Sequence, residues 1–267
     1  MAPLKVLFYP TPEPPFWSKI YVGIHRLGYV IGTRADHDLR ILFSGRTIDK
    51  DGIVLDRQGR RRGKTTKILH KTINGRCNDV SKTRVDRVFA RVFGYSSLVD
   101  PRKHESVQKT EIQAIHDIRR VKKMAPKRGY IYQRLIDTRD SSGRWTDLRP
   151  LVFDGKIHTV CIKRKPEMAV DRRAKMSFHM PIHVFTKAER EKILEFAAEF
   201  GADCADIDVL RDRKTKKLYI VDVNHTAHKH AFKRIGELQG ESAQREAELA
   251  YAKAFEAAFA RPKWRVR

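Results

Sequence analysis

The stretch ADIDVLRDRKTKKLYIVDVN, residues 205–224, contains two β-rich runs on either side of a charged turn. Apolar and polar residues alternate in the first run, and the second is rich in β-branched and aromatic residues, so the stretch predicts an antiparallel hairpin. If the pairing is centred near Thr215, Asp208 lies opposite Asp222 with Cβ atoms roughly 5 Å apart. Asn224 shares the face of Asp222 because side chains two residues apart on a strand point the same way. The hairpin therefore brings two carboxylates and an amide oxygen together.

This group of oxygen atoms suggests a cation site. Two carboxylates at such a distance repel each other unless a positive charge lies between them. Mg²⁺ takes one or two carboxylates and completes its shell with water and nucleotide phosphates. The spacing alone leaves two interpretations open: a Mg²⁺ site at Asp208, Asp222 and Asn224, or a solvent-facing strand edge with unrelated acids.

The composition predicts a folded protein without a membrane span. The chain has 267 residues, of which 41% are hydrophobic, enough for one large domain or two to three small ones. No stretch approaches the roughly 18 apolar residues that a membrane-spanning helix needs, and Met1–Lys5 precede no apolar signal core. Cys77, Cys161 and Cys204 are widely spaced and form no CxxC motif. The expected setting is therefore reduced and cytoplasmic.

The charge is strongly positive, with a formal net value of +24. Such an excess of positive charge favours polyanionic partners, including nucleic acid and nucleotides. The densest basic run is RQGRRRGKTTK, Arg57–Lys67. This run is not a phosphate-binding P-loop, because Gln58 stands where the first glycine of that motif is required. The alternative is a charge dispersed over solvated surfaces.

The order of elements predicts an α+β chain. A βαβ-like opening predicts a small parallel sheet, and Asp154-Gly155 between two β-rich runs predicts a second hairpin. The N-terminal elements are a strand at Lys5–Tyr9, a helix at Phe16–Leu27, strands at Tyr29–Thr33 and Leu39–Phe43, a loop or hairpin at Gly45–Gly63 and a strand at Ile68–Ile73. The later helices begin at Ser81-Lys82, at Thr186 with a capping box to Glu189, and at Glu241.

The 205–224 hairpin, taken with four upstream segments, resembles the ATP-grasp superfamily, of which glutathione synthetase and D-alanine–D-alanine ligase are members. In that family the last hairpin carries an acid on one strand and an acid-x-Asn ending on the next. The upstream segments occur in the family's order, and the resemblance covers about residues 78–227. They are NDVSKTRVDRVFARVFG (78–94), HESVQKT (104–110), GYIYQRLIDT (129–138) and TDLRPLVFDGKIHTVCIKRKP (146–166).

The resemblance implies a role for each matching residue. Lys82 and Lys109 correspond to lysines that contact ATP phosphates, and Gln133, Arg134, Leu135 and Ile136 to the segment that holds adenine. Arg149 and Lys109 would neutralise charge during the transfer step, and Lys163 or Arg164 would reach a phosphate or the acyl phosphate. Asp208, Asp222 and Asn224 would hold Mg²⁺.

The implied architecture is an ATP-grasp fold, in which two α+β lobes hold ATP, preceded by a small α/β pre-ATP-grasp domain. Its boundaries would be 1–75 for the first domain, 76–132 and 133–240 for the two lobes, and 241–267 for a C-terminal helix. The implied activity is an ATP- and Mg²⁺-dependent ligase that activates a carboxylate as an acyl phosphate for attack by an amine or similar nucleophile. Two alternatives stay open: a polyanion- or nucleic-acid-binding protein with weak or no turnover, and an ATP-grasp phosphotransferase.

The chain departs from the family pattern at two places. The interval after Lys109 contains no glycine before Gly129. Either side chains would cover the phosphates, or the role of the glycine-rich loop is lost. The side chains in question are His116, Asp117, Arg119, Arg120 and the lysines of this interval. Many members have an arginine two residues before the first metal-binding acid, but that position here is Asp206. Arg149 or Arg211 would have to supply the charge, although Arg211 is expected on the opposite face. His225, His228 and His230 match no zinc spacing and are expected in a polar loop over the site.

Overall fold

A computed structural model of the chain describes residues 81–111, 118–153, 155–168 and 174–224, five residues between 240 and 249, and the backbone of seven short strands before residue 73. Four of these seven strands form a parallel sheet in the order β2-β1-β3-β7, and the other three form an antiparallel sheet. The strands are β1 Lys5–Tyr9, β2 Val30–Ile31, β3 Leu39–Leu42, β4 Thr47–Ile48, β5 Ile53–Leu55, β6 Arg61–Lys64 and β7 Leu69–Thr72.

These pairings confirm the small parallel sheet, and they show that the polar segment 45–63 contains a hairpin. The helix expected at Phe16–Leu27 lies outside the described residues. The assignment of residues 1–75 to a pre-ATP-grasp domain stays a prediction.

The described residues between 81 and 224 form two further antiparallel sheets and two α-helices. A small sheet has the order β10-β8-β9, and a large one has the order β13-β12-β11-β14-β15. The elements are α1 Lys82–Phe93, β8 Ser106–Thr110, β9 Arg119–Val121, β10 Tyr130–Arg134, β11 Trp145–Phe153, β12 Lys156–Lys165, β13 Lys175–His179, a 3-10 helix Pro181–His183, α2 Lys187–Phe200, β14 Cys204–Arg211 and β15 Leu218–Asn224. The hairpins of β11 with β12 and of β14 with β15 confirm the two predicted from the sequence.

Both helices begin and end where the sequence predicts. The Ser81 hydroxyl accepts a hydrogen bond from the backbone N–H of Arg84, and Gly94 ends α1 in the left-handed region at φ +80°. For α2, Thr186 and Glu189 form the reciprocal hydrogen bonds of a capping box, at 3.2 and 2.8 Å. Each cap satisfies backbone groups that have no partner within the helix.

The main core lies between the helices and one face of the large sheet. Leu148, Val160 and Val209 point to this core, together with Phe89 of α1 and Phe196 of α2. Because side chains alternate along a strand, the residues between them point to the opposite face. That opposite face carries most of the polar side chains that the sequence analysis singles out.

Candidate nucleotide and metal site

The pairing of β14 with β15 brings the predicted acids together. Asp208 is paired with Asp222, and Asp206 is paired with Asn224. An irregularity lies between Asp208 and Val209, where the register shifts by one residue. The predicted pairing of Asp208 with Asp222 is therefore confirmed. The register that pairs them extends from Asp206 to Asp208, at the end of the hairpin that is remote from its turn.

Arg149 of the central strand β11 reaches the first of these acids. Its Nη2 atom donates to Asp208 Oδ2 at 2.9 Å. Asp208 Oδ1 and Arg149 Nε are also buried, and neither has a hydrogen-bond partner. A buried carboxylate oxygen without a partner is costly in an isolated protein, so Asp208 Oδ1 is an acceptor available to a cation or another donor.

Arg149, and not Arg211, supplies the positive charge beside the acids. Arg211 points to the other side of the sheet, as the sequence analysis expected. Its guanidinium forms two hydrogen bonds with Glu189, at 2.6 and 3.1 Å, and a third with the carbonyl of Val184 at 2.9 Å.

Charges of both signs surround the acid pair. Burial raises the pKa of Asp208 above its ordinary value, Arg149 lowers it, and Asp222 raises it again by repulsion. The same attraction to Asp208 is the main cause that raises the pKa of Arg149. Lys163 also acts on Asp208, so Arg149 is one of several cations that face these carboxylates.

The buried ion pair itself can be tested by stability. Arg149→Met is expected to lower the free energy of unfolding by about 1–2 kcal/mol, because it leaves the Asp208 carboxylate without its cation in a partly buried place. Asp208→Asn in the same chain is expected to recover most of that loss, since the neutral amide needs no cation. A double-mutant cycle measured by urea unfolding gives the coupling energy between Arg149 and Asp208. If the losses of the two single variants simply add in the double variant, the predicted coupling is wrong.

Lys109 of β8 lies within electrostatic reach of the acid pair. Burial lowers the pKa of its ammonium group, while Asp222 and Asp208 raise it by attraction and Lys82 lowers it by repulsion. Lys82 is the first residue of α1, and its backbone N–H donates to the carbonyl of Glu111, just beyond β8, at 3.3 Å. The small sheet therefore brings Lys109 within reach of the acids of the large sheet, and the start of α1 places Lys82 within reach of Lys109.

Two buried charged residues on the large sheet, Lys165 and Asp147, were not singled out by the sequence analysis, and a third, Asp206, was noted only as a departure from the family pattern. Lys165 Nζ lies 2.7 Å from Asp147 Oδ2 and donates to the carbonyl of Met168 at 2.9 Å. Asp147 is paired with Lys163 across β11 and β12, and Asp206 is almost fully buried. The alternation of side chains along a strand could have indicated two of these residues. Asp147 lies two residues from Arg149, and Lys165 lies two residues from Lys163, so each shares a sheet face with a predicted site residue.

Gln133 of β10 occupies a polar position whose orientation is fixed by its neighbours. Ser97 Oγ donates to Asp86 Oδ1 at 2.7 Å, so it can only accept from Gln133, whose Nε2 lies 3.3 Å away. This directs Gln133 Oε1 the other way, where it is buried without a hydrogen-bond partner. The β8–β10 register places Gln133 on the same sheet face as Lys109.

The rest of the predicted adenine segment is divided among different surroundings. Arg134 is exposed, Leu135 is half-buried, and the Ile136 side chain belongs to the main core. The side chain of Ile136 is therefore part of the packing, so any contact of this residue with a base would come from its backbone.

The arginines suggested as a phosphate cover are engaged elsewhere. Arg119 and Arg120 lie on β9, which the sequence analysis did not predict, and their Nε atoms donate to Gln108 and Glu105 at 2.5 Å each. The three histidines 225, 228 and 230 lie outside the described residues.

Metal binding by protein side chains alone is not indicated in the described part. It contains no group of three or more His, Cys, Asp and Glu side chains placed to hold an ion. Asp208 and Asp222 supply two acids, which suits a cation that takes its remaining ligands from water and phosphate. Within the same residues no helix has the length and apolar character needed to cross a membrane.

Comparison with solved structures identifies the fold. No protein-family model matches the sequence, and no curated protein matches it significantly. The chain is similar to the ATP-grasp ligase PsnB complexed with minimal precursor, with a TM-score of 0.55, 11% identity and coverage of 94% of this chain and 99% of that one. It is also similar to a RimK domain ATP-grasp protein from Sphaerobacter thermophilus, with a TM-score of 0.53, 10% identity and coverage of 96% and 100%.

A third similar structure is the macrocyclase MdnB from Microcystis aeruginosa, with a TM-score of 0.50, 10% identity and coverage of 96% and 99%. At these identities the likeness concerns the fold alone, which is the ATP-grasp fold. The fold implied by the sequence resemblance is thereby confirmed, and the roles of the matching residues stay predictions.

Proposed function

We propose that the protein is an ATP- and Mg²⁺-dependent ligase that activates a carboxylate as an acyl phosphate for attack by an amine or a similar nucleophile. The observation that carries the proposal is the opposed pair of Asp208 and Asp222, with the unpartnered Asp208 Oδ1 and with Lys109 in electrostatic reach. Among the similar structures, one of PsnB is complexed with a precursor variant, Mg and ADP, which supports the same chemistry for this chain.

The oxygen atoms around the hairpin fit a magnesium ion. In this proposal Asp208, Asp222 and Asn224 hold Mg²⁺. The ion would neutralise charge on the ATP phosphates, which is its general contribution to phosphoryl transfer. The unpartnered Asp208 Oδ1 is consistent with this role because Mg²⁺ prefers carboxylate oxygen ligands.

The side chains of this chain bind and orient the reactants. Lys82, Lys109 and Lys163 are proposed to contact phosphates, and Arg149, with Lys109, to stabilise the charge that develops when the carboxylate attacks. Phosphoryl transfer of this kind depends on positioning and charge neutralisation, so no side-chain nucleophile or general base is required. Residues 76–132 and 133–240 would be the two lobes that hold ATP.

Gln133 is proposed to recognise the adenine amino group. Its Oε1 atom can only accept a hydrogen bond, so a base with an amino group would fit better than one without it. Gln133→Leu is expected to remove the preference for ATP over purine riboside triphosphate, which lacks that group. The preference expected for the unchanged protein is about 2–10-fold, the value of one neutral hydrogen bond.

The matched control for this variant is Gln108→Leu. Gln108 is a buried glutamine of the same small sheet, but it lies on the opposite face and donates to the Tyr132 hydroxyl at 3.1 Å. Titration of both nucleotides against each variant measures the preference. A preference that survives in Gln133→Leu, or disappears equally in Gln108→Leu, would contradict the assignment.

The reaction itself is tested by phosphate release. Pools of carboxylic acids and amines are screened in pairs with Mg²⁺ and ATP, and Asp222→Ala serves as the inactive control. A ligase releases phosphate and ADP only when both partners are present. Formation of ADP with a phosphorylated product and no free phosphate would identify a phosphotransferase instead.

A further inference from the structure

The edge of the small sheet around β9 carries a concentration of free positive charge. Residues 119–128, RRVKKMAPKR, include six lysines and arginines and no acid. The backbone N–H of Met124 donates to the carbonyl of Pro101 at 3.0 Å, so the segment after β9 runs beside the loop before β8. Arg102, Arg119 and Arg120 are also exposed here but hydrogen-bond to Asp100, Gln108 and Glu105. We call the other five exposed lysines and arginines of this region the basic edge: Lys103, Lys122, Lys123, Lys127 and Arg128.

Two described acids near the basic edge are already engaged by other cations. Asp100 forms hydrogen bonds with the guanidinium of Arg102 at 3.0 and 3.1 Å, and Glu105 pairs with Arg120 at 2.5 Å. None of the five basic-edge residues forms an ion pair with a described acid. Their charge is therefore available to a partner.

We infer that the basic edge is a docking surface for the phosphate backbone of nucleic acid, contacted without regard to base sequence. The inference is independent of the proposed ligase activity. It accounts for part of the net charge of +24, because a nucleotide site alone does not require so many positive charges.

The basic edge is rich in lysine. Four of the five residues are lysines, which act as hydrated point charges and bind phosphate without the fixed geometry of a bidentate arginine contact. The arginines beside them are held by Asp100, Glu105 and Gln108. A surface of free lysines suits the repeating charges of a phosphodiester chain.

The surroundings argue against a membrane and against base recognition. The large hydrophobic residues exposed in the described part are Met180, Ile182 and Leu249, and none of them belongs to this edge. Membrane surfaces are usually held through an apolar insertion or a lipid chain in addition to charge. Among the described residues of this edge no exposed Phe, Tyr or Trp accompanies the five cations, so extensive stacking on bases is not expected there.

The test measures the salt dependence of binding by the full chain. The probe is a fluorescent oligothymidylate of about 20 nucleotides, and its anisotropy is followed at several salt concentrations. Each phosphate contact contributes about 0.7 to the slope of log affinity against log salt for a single strand. The triple variant Lys122→Gln, Lys123→Gln, Lys127→Gln is therefore expected to reduce the slope by about 2.

The matched control removes three positive charges elsewhere. Lys156, Lys175 and Lys214 are exposed lysines outside the basic edge, and changing all three to Gln lowers the net charge equally. The control is expected to retain nearly the full slope. Equal losses in the two triple variants would overturn the inference, because binding would then follow net charge alone.

Two further outcomes also overturn it. The first is an absence of oligothymidylate binding at low salt. The second is displacement of the oligothymidylate by polyglutamate of equal charge at lower concentration than by unlabelled oligothymidylate, which would identify an acidic polypeptide as the better partner.

Discussion

Asp222→Asn is expected to abolish the stabilisation that Mg²⁺-ATP gives to the unchanged protein. At a ligand concentration of 100 times Kd, binding to the folded state alone raises the free energy of unfolding by about 2.7 kcal/mol. Asn keeps the shape of Asp222 but removes one of the two charges that would attract the cation. Thermal unfolding with Mg²⁺-ATP, with ATP and chelator, and without ligand measures the difference.

The same substitution is expected to change the stability of the ligand-free protein little, because Asp222 has two opposed effects there. It repels Asp208, and it attracts the ammonium group of Lys109. Removing its charge therefore relieves one interaction and weakens another.

The control is Asp212→Asn in the turn of the same hairpin. Asp212 Oδ1 accepts from the backbone N–H groups of Lys214 and Thr215 at 2.9 and 2.7 Å, contacts that the amide oxygen of Asn can retain. It should respond to Mg²⁺-ATP like the unchanged protein. If Mg²⁺-ATP stabilises Asp222→Asn fully, or stabilises no variant, the proposed site is wrong.

The register of the 205–224 hairpin could be predicted because local features determine it. The alternation of apolar and polar residues in β14 places Asp206 and Asp208 on the same face of the sheet. The charged segment between the strands limits where the turn of the hairpin can be centred, and therefore which residues of the two strands can pair. The irregularity after Asp208 could not be predicted, since it depends on how β15 packs against the core. It nevertheless leaves the pairing of Asp208 with Asp222 intact.

Long-range contacts account for what the sequence analysis missed. The strand β9 has three residues and no apolar alternation, so only its pairing with β8 defines it. The strand β13 alternates in Lys175–His179, but charged residues on both sides obscure the signal. The burial of Lys165 was unexpected because lysine is rarely buried without a partner, and its partner Asp147 lies on another strand.

Phe89→Ala is expected to lower the free energy of unfolding by about 3–5 kcal/mol, because it creates a cavity in the core. Phe89 is fully buried on α1, with ring centroids 5.3 Å from Tyr95 and 6.0 Å from Tyr219 of β15. For a chain of this size the melting temperature should fall by on the order of 10 °C. Phe89→Leu fills most of the space and should cost less than half as much. Since Phe89 joins the helix that begins at Lys82 to the strand that carries Asp222, the alanine variant should also weaken Mg²⁺-ATP binding below its melting temperature. Unchanged nucleotide affinity in a folded Phe89→Ala protein would show that this packing does not position the two residues.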